Sequence, residues 1–396
     1  MLSKRAEALK PSPTLAISAK EKALKAKGLD IAGFGAGEPD FDTPEHIKQA
    51  AIDAINKNFT RYTPASGMDE LKDAVIEKFK RDNNLTYKRE EIIISCGGKH
   101  ALFNLFEALF QENDEVLVPS PYWVSYPPMI ELTGAKPVII ETDEKEDYQV
   151  TPQLLKRHIN KNTKAIILNY PSNPVGSVYY KENLEAIGKI AVENNLYIIS
   201  DEIYEKITYD EYVHTSIASF DNAFKERTII CHGVSKTYAM TGWRIGFAAG
   251  PGHIIKAMAN IQSQSTSNPT SVSQMAAIAA LNGPQDFIPM MVREFKNRKD
   301  YLVKELLTIE GVTCYNPRGA FYVFPNFNSI IGKRYKDRVI DSSTSWTEVL
   351  LEDFHTAVVP GIEFGKEGYI RLSFATSMEV IKKGVERIKQ AVNELK

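Results

Sequence analysis

Between residues 92 and 230 the chain alternates short, uninterrupted apolar runs with stretches of helical spacing. Glu91-Ile-Ile-Ile-Ser95, Val116-Leu-Val118, Pro137 to Ile140, Lys164 to Asn169, Leu196 to Ser200 and Arg227-Thr-Ile-Ile-Cys-His232 are such runs, rich in isoleucine and valine. None shows the in–out alternation of a half-wet strand, so each has to be covered on both faces. Between them, Lys99 to Phe110, Tyr122 to Thr133 and Lys181 to Asn194 read as helices. Thr43-Pro44 opens an earlier helix, with Thr43 as N-cap and Pro44 at the first helical position, running to about Asn58. Another spans Met68 to Asp82. Buried strands alternating with helices predict an α/β chain with a mostly parallel sheet covered by helices.

The pattern changes after about residue 285. A long charged helix, Phe287 to Leu307, leads to Gly319-Ala-Phe-Tyr-Val-Phe324, a polar loop, a helix near Thr347 to His355 and a last helix from Met378. This predicts a large α/β domain over 46–285 and a smaller α+β domain made of 1–45 with 286–396. Charge is nearly balanced, with 48 Lys+Arg against 50 Asp+Glu, so no positive field favours nucleic acid. No apolar run is long enough for a membrane span, and the N-terminal residues lack a signal-peptide core. Cys96, Cys231 and Cys314 are odd in number and far apart, which predicts neither a zinc site nor a disulfide framework. A cytoplasmic protein with reduced core thiols and no metal is the expectation.

Gly33-Phe-Gly35-Ala-Gly37 looks like part of a dinucleotide fingerprint, but Glu38-Pro39-Asp40 follows where a helix should open. A tight loop whose backbone approaches a ligand or another strand fits better. The more informative segment is Gly233-Val-Ser-Lys236-Thr-Tyr-Ala-Met-Thr-Gly-Trp-Arg244-Ile-Gly246. A lysine follows directly on a buried strand. Gly233 and Ser235 leave room beside it for a planar ligand, Arg244 offers a fork of donors to a phosphate, and Gly242 and Gly246 permit close backbone approach.

That segment resembles the lysine-attachment signature of class I pyridoxal-phosphate aminotransferases. Further family marks follow in order along essentially the whole chain: Gly35-Ala-Gly-Glu-Pro-Asp-Phe41, Tyr62 in Arg61-Tyr-Thr-Pro, Gly97-Gly-Lys-His-Ala-Leu102, Ser120-Pro-Tyr-Trp123, Asn169-Tyr-Pro-Ser-Asn-Pro-Val-Gly176, Ser200-Asp-Glu-Ile-Tyr204 and Gly368-Tyr-Ile-Arg371-Leu-Ser. The closest resemblance is to the bacterial branch of aspartate aminotransferases. It implies the fold of type I pyridoxal 5'-phosphate enzymes.

The resemblance also implies roles. Lys236 holds the cofactor through its amine and, once freed, acts as the catalytic base. Asp201 faces the pyridine nitrogen and keeps it protonated. Asn173 and Tyr204 hydrogen-bond the phenolic oxygen, and Trp123 stacks on the ring. Gly98 and Lys99 open a helix whose N-terminus takes the phosphate, together with Ser235 and Arg244. Arg371 binds the substrate α-carboxylate, with Gly37 bringing its backbone to the same group, and Asn173 and Trp123 line the substrate side as well. Tyr62 reaches the phosphate of a neighbouring subunit, which makes the expected assembly a homodimer.

The implied substrates are amino acids and 2-oxo acids, foremost L-aspartate and 2-oxoglutarate, exchanged by a ping-pong mechanism. Lys99 matches a lysine that reads the distal carboxylate. Lys10 in Lys10-Pro-Ser-Pro-Thr14 matches one linked to prephenate in some members, with Ser12 and Thr14 as pocket-lining candidates. The alternatives within the same fold are aspartate/glutamate–prephenate or aromatic transamination and carbon–sulfur β-elimination.

Overall fold

The computed structural model describes residues 2–11 and 13–396; Ser12, one of the pocket-lining candidates, lies outside them. A seven-stranded sheet forms the centre, in the order Ile92–Ser95, Gly246–Ala249, Thr228–Gly233, Tyr197–Asp201, Thr163–Asn169, Glu115–Ser120, Lys136–Glu141. Six strands run the same way; Gly246–Ala249 is antiparallel to both its neighbours. Ile92–Ser95, Gly246–Ala249 and Thr228–Gly233 are buried throughout and the middle of Thr163–Asn169 is too, as their unbroken apolar runs require. Lys136–Glu141, by contrast, lies at the other edge and is only partly covered, against expectation. Separate apolar clusters pack on the two faces, one around Phe79, Ile94 and Phe247, another around Phe106, Ile93 and Ile167.

A second core joins distant parts of the chain. Ala32 and Phe34 pack with Phe295, Phe321, Tyr322, Trp346, Leu372 and Ile388. The short strand Ala32–Gly33 pairs in parallel with Thr356–Ala357. Val359–Pro360, Ile370–Ser373 and Tyr322–Val323 form a three-stranded antiparallel sheet with Ile370–Ser373 in the middle. The helix Met378–Asn393, capped by Ser377, closes this core with Ile381, Val385 and Ile388.

Some local expectations shift. The helix expected from Thr43 is Glu45–Asn56 with Pro44 at the cap position. Thr43 does not cap it, because its hydroxyl donates to the Ala239 carbonyl at 2.6 Å and receives the Trp243 Nε1 proton at 3.0 Å. The helix expected over Tyr122 to Thr133 is only Tyr126–Leu132. Pro127 and Pro128 fit only its first turn, and Tyr122 is held outside it by a backbone bond to Phe364. Asp201 is the last residue of its strand rather than the one after it. Cys231 and Cys314 are buried, whereas Cys96 is partly exposed. Among the described residues no helix is long and apolar enough to cross a membrane.

Candidate active site

The strand registers bring Ser95, Gly233, Asp201 and Asn169 to one edge of the sheet, and the reversed strand begins there with Gly246. This is the carboxyl edge of the parallel strands, where α/β sheets open a crevice. The loops leaving that edge carry Gly98, Trp123, Asn173, Tyr204 and Lys236. Arg244 arrives just before the reversed strand.

Lys236 points into this crevice, and its Nζ donates to the Gly37 carbonyl at 2.5 Å. Burial lowers its pKa to about 8; Arg244 and Arg371 push the same way, while Glu38 and Asp201 oppose them. Asp201 is buried, and burial raises its carboxyl pKa to about 6, against the pull of a bond from the Tyr126 hydroxyl. That bond is 2.6 Å long and ends on Oδ2. Tyr126 also packs edge-on against Trp123, with ring centroids 5.3 Å apart. The two carboxylates flanking Tyr204 find their partners outside the crevice. Glu202 takes His214, Ser200 and Ser216, and Glu205 pairs with Lys78.

A cradle forms where the helix Gly98–Leu109 begins. The first amides of a helix have no intrahelical partner and favour an anion. Gly97, at φ 95°, precedes it, and a Cβ there would lie 2.2 Å from Nη2 of Arg244. The guanidinium therefore occupies the space a side chain would fill, held to the Thr241 and Cys96 carbonyls. Gly246 is needed for the same closeness, since its Cβ would meet Gly98 N at 2.2 Å. Gly242 differs from the expectation: a Cβ there meets nothing within 4 Å. Ser235 is buried nearby in sequence to Lys236, and the Ser95 hydroxyl is buried without a partner. Lys99 lies with its ammonium 5.0 Å from the Trp123 ring, and burial and Arg244 both lower its pKa.

Arg371 sits in the middle strand of the small sheet and is 2% exposed. Its Nη1 donates to Asn173 Oδ1 at 3.1 Å and its Nη2 to the Gly35 carbonyl at 2.8 Å, while Nε has no partner. The guanidinium lies over the Tyr322 ring at 4.6 Å, and burial lowers its pKa. Among the described residues no carboxylate pairs with it. Tyr322 shares a 2.9 Å hydrogen bond with Tyr204, and a Cβ on Gly37 would lie 3.2 Å from its hydroxyl.

Most of the expected residues thus gather at one crevice. Tyr62 does not: it is 91% exposed on this chain. Lys10 is exposed between the first two helices and acts electrostatically on Glu363. Thr14 lies in the first turn of the helix Pro13–Ala26. Sequence reasoning missed Tyr126, Tyr322 and the Gly35 carbonyl. All three act through partners far along the chain, Tyr126 through Asp201, Tyr322 through Tyr204 and the Gly35 carbonyl through Arg371, so no local spacing pointed to them.

The profile of the family described as aminotransferase class I and II matches residues 30–388. An aspartate aminotransferase of Bacillus subtilis is 48% identical over 394 residues, 99% of each chain. An aspartate/prephenate aminotransferase of Nitrosomonas europaea is 46% identical over 390 residues, 98% of each. The crystal structure of the aspartate aminotransferase from Rhizobium meliloti superposes with a TM-score of 0.96 at 42% identity, covering 100% of both chains. With a lysine, a buried carboxylate and a glycine-lined anion cradle on one sheet edge, and these relatives spanning the whole length, the chain belongs to the class I and II aminotransferases, enzymes that depend on pyridoxal 5'-phosphate.

Proposed function

We propose that the enzyme moves the amino group between L-aspartate and 2-oxoglutarate. The observation that carries an amino-acid substrate is Arg371, a buried guanidinium with no acidic partner among the described residues. The choice of aspartate is supported by the Bacillus subtilis aspartate aminotransferase, at 48% identity over 99% of the chain. A buried cation of this kind calls for an anion from outside.

The residues fit pyridoxal 5'-phosphate. Arg244 fills the space over Gly97 at a helix start, which suits the phosphate. Asp201, buried and held by Tyr126, suits the ring nitrogen. Bound there, the cofactor supplies an electron sink and carries the amino group between the two half-reactions.

Each residue then has a task. Lys236 would hold the cofactor through its amine and, when free, would take the proton from the substrate Cα. Asp201 keeps the pyridine nitrogen protonated. Asn173 and Tyr204 donate to the phenolic oxygen, and Trp123 covers the ring. Gly98 and Lys99 amides, Ser235 and Arg244 fix the phosphate. Arg371 retains three unused N–H groups for the α-carboxylate. At Gly37 the amide N–H is what a carboxylate can use. Lys99 reads the distal carboxylate.

We further propose a cytoplasmic homodimer in which Tyr62 completes the phosphate site of the partner subunit; its exposure on a single chain supports this. The division into a domain over 46–285 and one of 1–45 with 286–396 is supported by the core shared between Ala32, Phe34 and the C-terminal third.

The test is a panel of amino donors with 2-oxoglutarate, and prephenate as acceptor with aspartate and glutamate as donors. Aspartate should lead. Release of pyruvate and ammonia from cystathionine without transamination overturns the reading. Efficient use of prephenate establishes the alternative that the Nitrosomonas relative's name raises.

A further inference from the structure

The loop Gly35–Phe41 contributes backbone to the site, but its acidic and aromatic end does not face the crevice. Asp40 turns the other way and meets Arg298 of the long helix Phe287–Leu306. Arg298 Nη1 lies 2.7 Å from Oδ1 and 2.8 Å from Oδ2 of Asp40, and its Nε donates to Glu294 at 2.8 Å. The Arg298 side chain is 9% exposed and that of Asp40 28%. Phe41, next in the chain, packs edge-on against both Phe287 and Phe295, at 5.9 and 5.5 Å, and Arg298 lies over its ring at 5.6 Å. The loop is thus clamped to the helix by a buried guanidinium that is bonded, stacked and shielded from water.

The other end of this short loop makes the contacts that matter for chemistry. The Gly35 carbonyl accepts a hydrogen bond from Arg371, and the Gly37 carbonyl accepts one from the free Lys236 amine. Between them and Asp40, Pro39 is buried, and Glu38 takes an exposed hydrogen bond from Thr241 at 2.7 Å. With so few residues between clamp and carbonyls, a shift of Asp40 is transmitted to Gly37 through a stiff proline-containing backbone. A displacement of about 1 Å in a positioning group is enough to cost on the order of a hundredfold in rate.

We propose that Asp40 and Arg298 are positioning residues: their pair sets the Gly35–Phe41 loop so that the Gly35 carbonyl holds the Arg371 guanidinium in orientation. This rests on the reading of Arg371 as the carboxylate anchor. Neither residue touches substrate. Their effect reaches the reaction through the orientation of the guanidinium fork, so it falls on carboxylate affinity before it falls on turnover.

The experiment compares the holoenzyme with Asp40→Asn, Arg298→Met and the double variant. Three quantities are read: the dissociation constant of maleate from its perturbation of the cofactor absorbance, KM against kcat for the amino donor, and Tm. The expected result is a rise of tenfold or more in maleate Kd and donor KM in each single variant, with kcat within threefold. The double variant is no worse than the poorer single one. Arg298→Lys, which keeps the charge and most of the volume, recovers part of the loss. A fall in Tm with unchanged Kd and KM overturns the proposal, as do losses that multiply in the double variant. If Arg298→Met does not fold, Asp40→Asn and Arg298→Lys carry the same comparison. Failure of the functional reading looks different: the unmodified enzyme then neither binds maleate nor turns over aspartate, and the variants are compared with the donor it does use.

Discussion

Tyr126 donates its hydroxyl proton to Asp201 across 2.6 Å, with both side chains buried and Asp201 at the end of its strand. The bond is the main influence opposing the upward pull of burial on the Asp201 carboxyl. Removing it in Tyr126→Phe raises the Asp201 pKa above its present value of about 6. An acid bound to a ring nitrogen has to be ionised, so the acid limb of cofactor affinity moves to higher pH. A charge-assisted bond of this kind contributes about 1.5–3 kcal/mol. An unchanged acid limb in a pH series of cofactor binding counts against this role.

Lys236 makes a second prediction, for the cofactor-free chain. With a pKa of about 8 its amine is about a quarter neutral at pH 7.5, whereas an ordinary lysine is almost wholly charged. That difference is on the order of a hundredfold in neutral amine. Limited acylation followed by mass spectrometry is expected to label Lys236 ahead of surface lysines, with a midpoint near pH 8. The sign for stability follows too. The unfolded chain holds this proton more tightly, so the strain of burying the ammonium is complete below pH 8 and relieved as pH rises towards 10.5, the ordinary lysine value.

Arg371 separates binding from folding. Arg371→Lys keeps the charge but loses the fork that reaches Asn173 and Gly35 together. A fall in kcat/KM of roughly a hundredfold or more corresponds to about 3 kcal/mol of lost transition-state binding. No carboxylate partner is stranded by the change, so thermal stability is expected to move little. A kcat/KM close to that of the original enzyme rules out Arg371 as the carboxylate anchor.

Gly246 and Gly242 offer an internal comparison. A methyl at Gly246 meets backbone atoms of Gly97 and Gly98 at 2.2–2.3 Å, which cannot move aside cheaply. Gly246→Ala is expected to cost about 1–3 kcal/mol and to weaken cofactor retention at least tenfold. Gly242→Ala is expected to stay within about 0.5 kcal/mol. Denaturant unfolding of the two variants checks this, and equal losses refute the cradle as drawn.

The strands were legible because burial on both faces leaves an unbroken apolar run, and the residues at their carboxyl ends followed from that. Lys236, Asp201 and the Gly97–Gly98 turn could be read this way. What could not be read depends on pairs far apart in the chain. Asn173 meets Arg371 and Tyr204 meets Tyr322 only after folding. Thr43 carries a good capping side chain that tertiary structure recruits for Ala239 and Trp243 instead. The short helix at Tyr126 shows the same competition, with two prolines and a docked preceding segment overriding an apparently longer pattern.

The pairing of Ile92 with Ala249 at one edge of the sheet ties two segments far apart in the chain. As the chain leaves the ribosome, the Gly97–Gly98 turn emerges early but stands unfinished until Gly246–Ala249 arrives to close against it. Tyr204 finds its partner Tyr322 later still in the chain, and Arg371 follows beyond it. Long-range pairing of this kind is slow to form and leaves the first strand waiting as an exposed apolar edge. The cradle at Gly97–Gly98 therefore depends on a segment far along the chain, and a truncation before Gly246 leaves it open.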